Sequence, residues 1–263
     1  MQDDFALLAE DVSSPFDGGR FAIGRRPVRV GAIDLGALDA ETDSCLDMLV
    51  KLPGGDVRLP EAFRTKAVFS LFTLAAEAEK KLPGPGWRDH YLYLTVDQRE
   101  VLPGRSHRNA GWHFDGMQGS RYFEKLTACR QYVVSSANPT EYATLPMNAD
   151  GLTEDGHNWF VELGAQIDES IPGAVVKGAP GEVMLMSAYQ LHRSPVSMAE
   201  HPYRRTFFRL DVSMKQQDRL GNSLNPDLPA PFEFQPRGLP EGLRYEISDS
   251  GWEGGRKFSK AVL

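Results

Sequence analysis

The sequence predicts a mainly β fold, a sandwich or barrel with helices packed on one face. After about residue 87, short runs rich in aromatic and β-branched residues alternate with Gly and Pro turn signals. Before that point, the chain mixes short strands with segments of helical periodicity. Many short strands broken by such turns are typical of a sandwich or barrel, and helices that come first in the chain favour a helical layer on one side of it.

Two helices are predicted before residue 86. Asp39–Lys51 has an acidic start followed by apolar residues at helical spacing, and the clearer helix runs from Pro60 to Lys81. Pro60 suits a first helical turn, and the apolar residues between Val68 and Ala75 give this helix a broad apolar face. The Pro-Gly-Pro-Gly stretch at 83–86 ends it.

The strands are predicted from Tyr91 onward. The first is Tyr91–Val96, and the others lie at 112–115, 126–135, 142–145, 174–177, 182–186 and 203–213. Residues 214–263 are rich in Pro, Gly and Asn, and we expect them to wrap the domain as an extended tail. The chain is therefore expected to form one domain over 1–263, with a helical or mixed N-terminal layer to about residue 86 and a β core over about 87–213.

Composition narrows the function classes. The 263 residues, 41% of them hydrophobic, suffice for one sizeable core. The net charge of -7 argues against a nucleic-acid partner, because proteins that grip phosphates are usually basic. We therefore expect a small-molecule substrate.

Cysteine usage and the N-terminus bear on the compartment. The two cysteines, Cys45 and Cys129, are far apart, which argues against a disulfide framework or a thiolate zinc site. The N-terminus lacks the basic and apolar regions of a signal peptide, and no apolar run approaches the roughly 20 residues that span a bilayer. These features predict a cytoplasmic protein with no membrane association.

The candidate chemistry begins at Trp112–Asp115, which contains a His-x-Asp pair. In a strand, residues i and i+2 point to the same face, so His113 and Asp115 can chelate one ion together. A third candidate, His192, follows a Pro-Gly turn and an apolar strand at 180–186. Two imidazoles and one carboxylate are the ligand set of a facial-triad iron site, which leaves three metal positions open.

The last predicted strand, 203–213, is basic and alternates. One face carries Arg205, Phe207, Arg209 and Asp211, and the other is the more apolar. We expect the apolar face to pack against the helices and the polar face to point into the barrel. An arginine there can hold a carboxylate through two parallel hydrogen bonds. Arg204, followed by Thr206 on the opposite face, is an alternative carboxylate clamp.

Together these motifs resemble the iron(II)- and 2-oxoglutarate-dependent oxygenases. That family has a double-stranded β-helix core, also called a jelly roll and cupin-like. Its pattern is His-x-Asp/Glu, a distal His, and an Arg or Lys on the last core strand. The resemblance covers roughly residues 88–213 and depends on the order and spacing of short motifs.

The resemblance implies a role for each matching residue. His113, Asp115 and His192 would be the catalytic Fe(II) ligands. Arg205 or Arg209 would hold the distal carboxylate of the cosubstrate 2-oxoglutarate, with Arg204 left open.

The implied activity is that of a dioxygenase. With Fe(II), 2-oxoglutarate and O2, it would hydroxylate or otherwise oxidise a small molecule and release succinate and CO2. The carboxylate of Asp115 favours hydroxylation, because related halogenases carry a small residue at this position. Two alternatives stay open: a cupin-like metalloenzyme without 2-oxoglutarate, such as an isomerase or a cosubstrate-free dioxygenase, and a non-catalytic jelly-roll binding module.

Overall fold

The computed structural model describes residues 4–35, 43–84, 86–115, 127–153 and 157–234. These residues form three α-helices, two short 3-10 helices and nine strands. The helices are α1 (Asp4–Ser13), α2 (Lys66–Glu79) and α3 (Trp159–Gly164), with 3-10 turns at Gly18–Ala22 and Glu61–Phe63. The strands are β1 (Val28–Ala32), β2 (Cys45–Lys51), β3 (Tyr91–Val101), β4 (Arg130–Ser135), β5 (Glu141–Ala143), β6 (Val175–Lys177), β7 (Glu182–Ser187), β8 (His192–Arg193) and β9 (Tyr203–Ser213).

The strands form two antiparallel sheets. The larger has the order β1-β7-β4-β9-β3-β2, and the smaller has the order β6-β5-β8. From β3 onward the chain passes repeatedly between them: β3, β4, β7 and β9 lie in the larger sheet, and β5, β6 and β8 lie in the smaller. This alternation is the winding of a double-stranded β-helix, so the protein is a jelly roll with flanking helices.

The two faces of the larger sheet are packed very differently. Its outer face forms the main core with α1 and α2 through side chains such as Leu94, Leu210 and Leu71, all fully buried. The inner face contributes to a small apolar cluster with the opposite sheet, which contains Val133, Tyr142, Met186 and Phe207. Most of the hydrophobic stabilisation therefore lies outside the barrel, and much of the barrel interior is left to polar groups.

Strand β9 has the predicted alternation. Phe208, Leu210 and Val212 belong to the main core, beside the helices. Arg209 and Asp211 point the other way, where they contact each other. The prediction that the polar face points into the barrel is confirmed.

The helix predicted over Asp39–Lys51 is wrong. Residues 39–42 lie outside the described residues, and Cys45–Lys51 form strand β2 against β3. The register shifts between Cys45 and Met48 and again after Leu49, and Asp47 has a positive φ of 46°. These irregularities interrupt the period-two alternation of the strand. As a result, its apolar residues have spacings that resemble those of a helix.

Other predicted boundaries were approximate. The helix predicted from Pro60 to Lys81 is a 3-10 turn followed by α2. Helix α2 begins after Thr65, whose side-chain hydroxyl accepts a hydrogen bond from the Val68 amide. Trp112–Asp115 is not a regular strand, although His113 makes one antiparallel bridge. None of the helices in the described part of the chain has the length and apolar content of a transmembrane segment.

The described part of the predicted tail runs along β2. Ser223 exchanges hydrogen bonds with Leu46, and the Asn225 amide donates to Leu49 O at 2.8 Å. The tail beyond residue 234 lies outside the described residues, and the single-domain organisation over 1–263 stays a prediction.

Candidate metal centre

The two histidines of the predicted triad face each other across an antiparallel bridge. His113 N donates to His192 O at 3.0 Å, and His192 N donates to His113 O at 2.8 Å. Their ring centroids are 4.4 Å apart. Strands β4 to β7 lie between the two histidines in the chain and contribute to both sheets. Strand β8 then brings His192 beside the His113 segment.

Asp115 completes the group on the same side of the chain. One donor atom each from His113, Asp115 and His192 lies within 4.8 Å of the other two. The distance from His192 Nε2 to Asp115 Oδ2 is 3.4 Å. The structure therefore brings the three predicted ligands together as a set that can surround one metal ion.

Backbone carbonyls orient both imidazoles. His113 Nδ1 lies 2.8 Å from Gly111 O, and His192 Nδ1 lies 3.0 Å from Gln190 O. A carbonyl oxygen can only accept, so each Nδ1 carries the proton and each Nε2 keeps its lone pair for a metal. Burial, reinforced by neighbouring His192, lowers the pKa of His113 to about 4, which favours the neutral, metal-binding imidazole.

Arg209 lies directly behind the triad and is surrounded by acids. Its Nη1 donates to Asp115, its Nη2 to Asp47, and its Nε to Asp211 at 2.9 Å. Burial opposes the charge on Arg209, but the carboxylates outweigh it and raise its pKa well above the usual value. Burial also opposes ionisation of Asp115, yet the charge of Arg209 holds the pKa of that carboxyl well below its usual range.

This arrangement gives Arg209 a different role from the one predicted. All three guanidinium nitrogens are engaged by side chains of the protein, so it supports Asp115 and neutralises two further buried acids, Asp47 and Asp211. Burial raises the pKa of Asp211 above its usual range, and the charge of Arg209 opposes this rise. That Arg209 binds 2-oxoglutarate stays a prediction, and its contacts do not favour it.

Within the described ranges, the hydrogen bonds of Arg205 differ from those of Arg209 in having no carboxylate acceptor. The Arg205 side chain is fully buried, with Nε donating to Ala137 O at 2.8 Å and Nη1 donating to His107 Nδ1 at 2.7 Å. Its Nη2 finds no hydrogen-bond partner among the described residues. Burial and the nearby charge of Arg108 lower the pKa of Arg205 to about 10, which still leaves it cationic at neutral pH.

The third candidate arginine, Arg204, lies on the other face of β9. It is exposed, and its Nη2 donates to Gln98 Oε1 at 3.2 Å. Its position separates it from the barrel interior that contains Arg205 and Arg209.

Three polar residues lie beside Arg205, and none of them is among the metal ligands or carboxylate clamps predicted above. His107 Nε2 lies 3.3 Å from Asp97 Oδ2, and Arg108 Nη1 lies 3.5 Å from the same oxygen. The Arg108 guanidinium and that of Arg205 both lie over the Phe207 ring, at 4.9 and 5.5 Å from its centroid. A sequence signal for Asp97 existed, since it is a charged residue that directly follows the apolar run 91–96.

Comparison with protein-family models and with curated protein sequences gives no match. Several solved structures are similar at a low level. EvdO2 from Micromonospora carbonacea var. aurantiaca is 13% identical, with 59% of this chain and 62% of that chain covered and a TM-score of 0.37. A non-heme monooxygenase, the ThoJ-Ni complex, is 17% identical, with 64% and 62% covered and a TM-score of 0.31.

EctD from S. alaskensis is 18% identical, with 93% of this chain and 79% of that chain covered and a TM-score of 0.32. The aligned regions span less than two thirds of the length of EvdO2 and ThoJ. Similarity at this level carries no information about chemistry, which has to be inferred from the residues of the site itself.

Proposed function

We propose that the protein is an Fe(II)- and 2-oxoglutarate-dependent dioxygenase that hydroxylates or otherwise oxidises a small molecule. When bound, the iron and 2-oxoglutarate supply the chemistry that couples decarboxylation of the cosubstrate, to succinate and CO2, to oxidation of a C–H bond by O2. The protein's own tasks are to hold the metal, to hold the cosubstrate, and to leave open metal positions.

The donor set fits a divalent iron. His113, Asp115 and His192 offer two neutral nitrogens and one carboxylate oxygen, and three protein ligands leave room for three more on an octahedral metal. The backbone bonds to both Nδ1 atoms and the contact of Arg209 with Asp115 act as the outer support that metal ligands usually have.

The observation that carries the cosubstrate assignment is that the buried Nη2 of Arg205 has no hydrogen-bond partner in the part of the chain that the structure describes. A fully buried guanidinium that lacks a carboxylate partner is costly, and a ligand carboxylate would compensate it. Arg205 lies four positions before Arg209 on the same face, about 13 Å along the strand. The Arg205 guanidinium is therefore displaced from the triad along the barrel. This is the direction in which the distal carboxylate of metal-bound 2-oxoglutarate would extend. Of the three arginines, Arg205 supports this role best.

The test is an anaerobic titration of the Fe(II)-loaded protein with 2-oxoglutarate, followed by visible absorption. We expect a weak charge-transfer band when the cosubstrate binds, and iron-dependent succinate formation when O2 is admitted. Arg205→Ala should weaken 2-oxoglutarate binding at least tenfold without changing Fe(II) stoichiometry. Arg204→Ala is the matched control, because it removes the same charge one residue away on the exposed face, and it should bind like the parent.

The outcomes separate the alternatives. Iron binding with no band and no succinate would indicate a cupin-like metalloenzyme without this cosubstrate. Absence of stoichiometric iron in anaerobically prepared protein would indicate a non-catalytic jelly-roll module. Equal 2-oxoglutarate affinity in Arg205→Ala and Arg204→Ala would overturn the role of Arg205.

A further inference from the structure

His113 and His192 are paired by one antiparallel β-bridge, and farther from the histidines the same two segments are joined by Ser194 N, which donates to Asn109 O at 3.0 Å, and by a bridge between Ser106 and Val196. A side-chain contact between the residues next to the histidines adds to this pairing. The Arg193 guanidinium, which follows His192, lies over the ring of Trp112, which precedes His113, with Cζ 4.3 Å from the ring centroid. A guanidinium at this distance from an indole is held by cation–π attraction.

Two glutamates fix the same guanidinium. Arg193 Nε donates to Glu141 Oε2 at 2.8 Å, and Nη1 and Nη2 donate to the two oxygens of Glu169 at 2.7 and 2.8 Å. Trp112 Nε1 donates to Glu169 Oε1 at 3.3 Å, so the indole and the guanidinium share one carboxylate. Each nitrogen of Arg193 thus binds a different oxygen, and the planar group has little freedom to rotate.

The contacts of Arg193 tie two other parts of the chain to the histidine bridge, and Trp112 connects α3 to it. Glu141 opens β5 and lies opposite Arg193 in the sheet. Glu169 lies five residues beyond the end of α3, whose Gly164 packs so closely on Trp112 that an added Cβ would lie 3.1 Å from the Trp112 Cβ. These contacts hold α3 beside the triad.

We propose that Arg193 is a positioning residue for the metal centre, which holds the His113 segment against the His192 segment before the metal binds. The inference builds on the proposed function, since it assumes that the two histidines are ligands. The hydrogen bonds and the ring contact of Arg193 within the described residues go to Glu141, Glu169 and Trp112, and to none of the three predicted ligands.

The exposure of these groups distinguishes positioning from general stabilisation. The ion pair of Arg193 with Glu169 is accessible to solvent, with the Glu169 side chain 48% exposed, and adds little to the stability of a fold, whereas Glu141 is only 18% exposed. For a positioning residue, we expect the loss of Arg193 to weaken metal binding by more than its effect on the unfolding midpoint of the metal-free protein accounts for.

The experiment is a titration of the metal-free protein with Co(II), followed by its visible absorption, for the parent, Arg193→Ala, Arg193→Lys, Glu169→Ala and the double variant. We expect Arg193→Ala to weaken Co(II) binding about tenfold. Arg193→Lys should not restore it, because an ammonium cannot bind Glu141 and Glu169 in the same plane. The double variant should bind Co(II) no more weakly than Arg193→Ala alone, since both substitutions break one unit.

Arg29→Ala is the matched control, because Arg29 is a 59% exposed arginine paired with Glu182 on a distant strand pair. It should leave Co(II) affinity unchanged. Co(II) affinity equal to that of the parent in Arg193→Ala would overturn the role of Arg193 while leaving the proposed function intact. So would a loss of affinity fully matched by a drop in the unfolding midpoint. Failure of the parent to bind Co(II) would overturn the metal centre itself and, with it, this role.

Discussion

Arg205 Nη1 donates a hydrogen bond to His107 Nδ1 across 2.7 Å. A guanidinium cannot accept, so Nδ1 must be unprotonated, and the ring proton lies on Nε2, which faces Asp97 at 3.3 Å. Burial lowers the pKa of His107 to about 4, so this neutral tautomer persists at neutral pH. Asp97 and His107 therefore orient Arg205, whose buried Nη2 has no hydrogen-bond partner among the described residues.

This relationship makes His107 a test of how Arg205 is oriented. His107→Ala removes the acceptor and should weaken 2-oxoglutarate binding about tenfold, or about 1.4 kcal/mol, with unchanged Fe(II) affinity. His107→Gln should restore part of the loss, because its amide oxygen can accept from Nη1. Calorimetric titration gives both affinities, and His201→Ala, an exposed histidine, is the control. Equal losses for Gln and Ala would argue against hydrogen bonding as the cause.

Each triad residue should be required for metal binding. His113→Ala, Asp115→Ala and His192→Ala should each reduce bound iron to a small fraction of one equivalent and abolish succinate formation, because two remaining ligands hold a divalent ion weakly. Metal analysis of anaerobically prepared protein measures the first effect, and circular dichroism checks the fold. Full activity in any of the three would refute its assignment.

Arg209 should matter to folding as well as to the site. Arg209→Ala would leave Asp47, Asp115 and Asp211 without their shared counter-charge in the barrel, and breaking a buried ion pair in this way costs about 3–5 kcal/mol. Urea unfolding of the metal-free protein measures the loss. Arg204→Ala, five residues earlier in the same strand on its exposed face, should change the unfolding free energy by no more than about 0.5 kcal/mol. A small effect at Arg209 would show that the acids become protonated instead.

His90 gives the protein a defined acid sensitivity away from the metal centre. Its Nε2 accepts from Arg130 at 3.3 Å, and burial, then the charge of Arg130, lowers its pKa to about 4. The folded imidazole therefore stays neutral while the unfolded one, with a pKa of about 6.5, takes up a proton. Its contribution is fully present above about pH 6.5 and is lost as the pH falls towards about 4, by up to about 3 kcal/mol.

His90→Gln removes this titration but keeps an acceptor for Arg130. Unfolding free energies measured by urea between about pH 7.5 and 4 should therefore fall more steeply in the parent than in the variant. Parallel curves over this range would show that His90 is protonated in the folded state as easily as in the unfolded state.

The sequence could predict the residues whose role depends on their spacing along a short stretch of chain. His113 and Asp115 are two residues apart, and the strand alternation of β9 placed Arg205 and Arg209 on one face without knowledge of their partners. The partners of Arg209 were beyond reach, because Asp47 lies 162 residues away in sequence and joins the site only through the pairing of β2 with β3. Without that contact, Arg209 and Arg205 were indistinguishable as carboxylate clamps.

The errors in secondary structure have the same origin. Irregular pairing at Asp47 imitated helical spacing, so β2 was predicted as a helix. The reverse holds at His113, where a pattern typical of a strand produced a single bridge. Helices α1 and α3 were not predicted; α3 has only six residues, and helices so short take most of their stability from packing.

Along β3 and β9, even-numbered and odd-numbered residues lie on opposite faces of the sheet. Even-numbered positions such as Leu94, Val96, Phe208 and Leu210 pack against the helices. The polar side chains of Asp97, Arg205 and Arg209, at odd positions, lie on the opposite face of the sheet, inside the barrel. Substitutions at the even positions therefore disturb the packing of the sheet against the helices, whereas substitutions at the odd positions disturb buried hydrogen bonds and ion pairs inside the barrel. The two faces of the same strands thus stabilise the protein by different interactions, one apolar and one ionic.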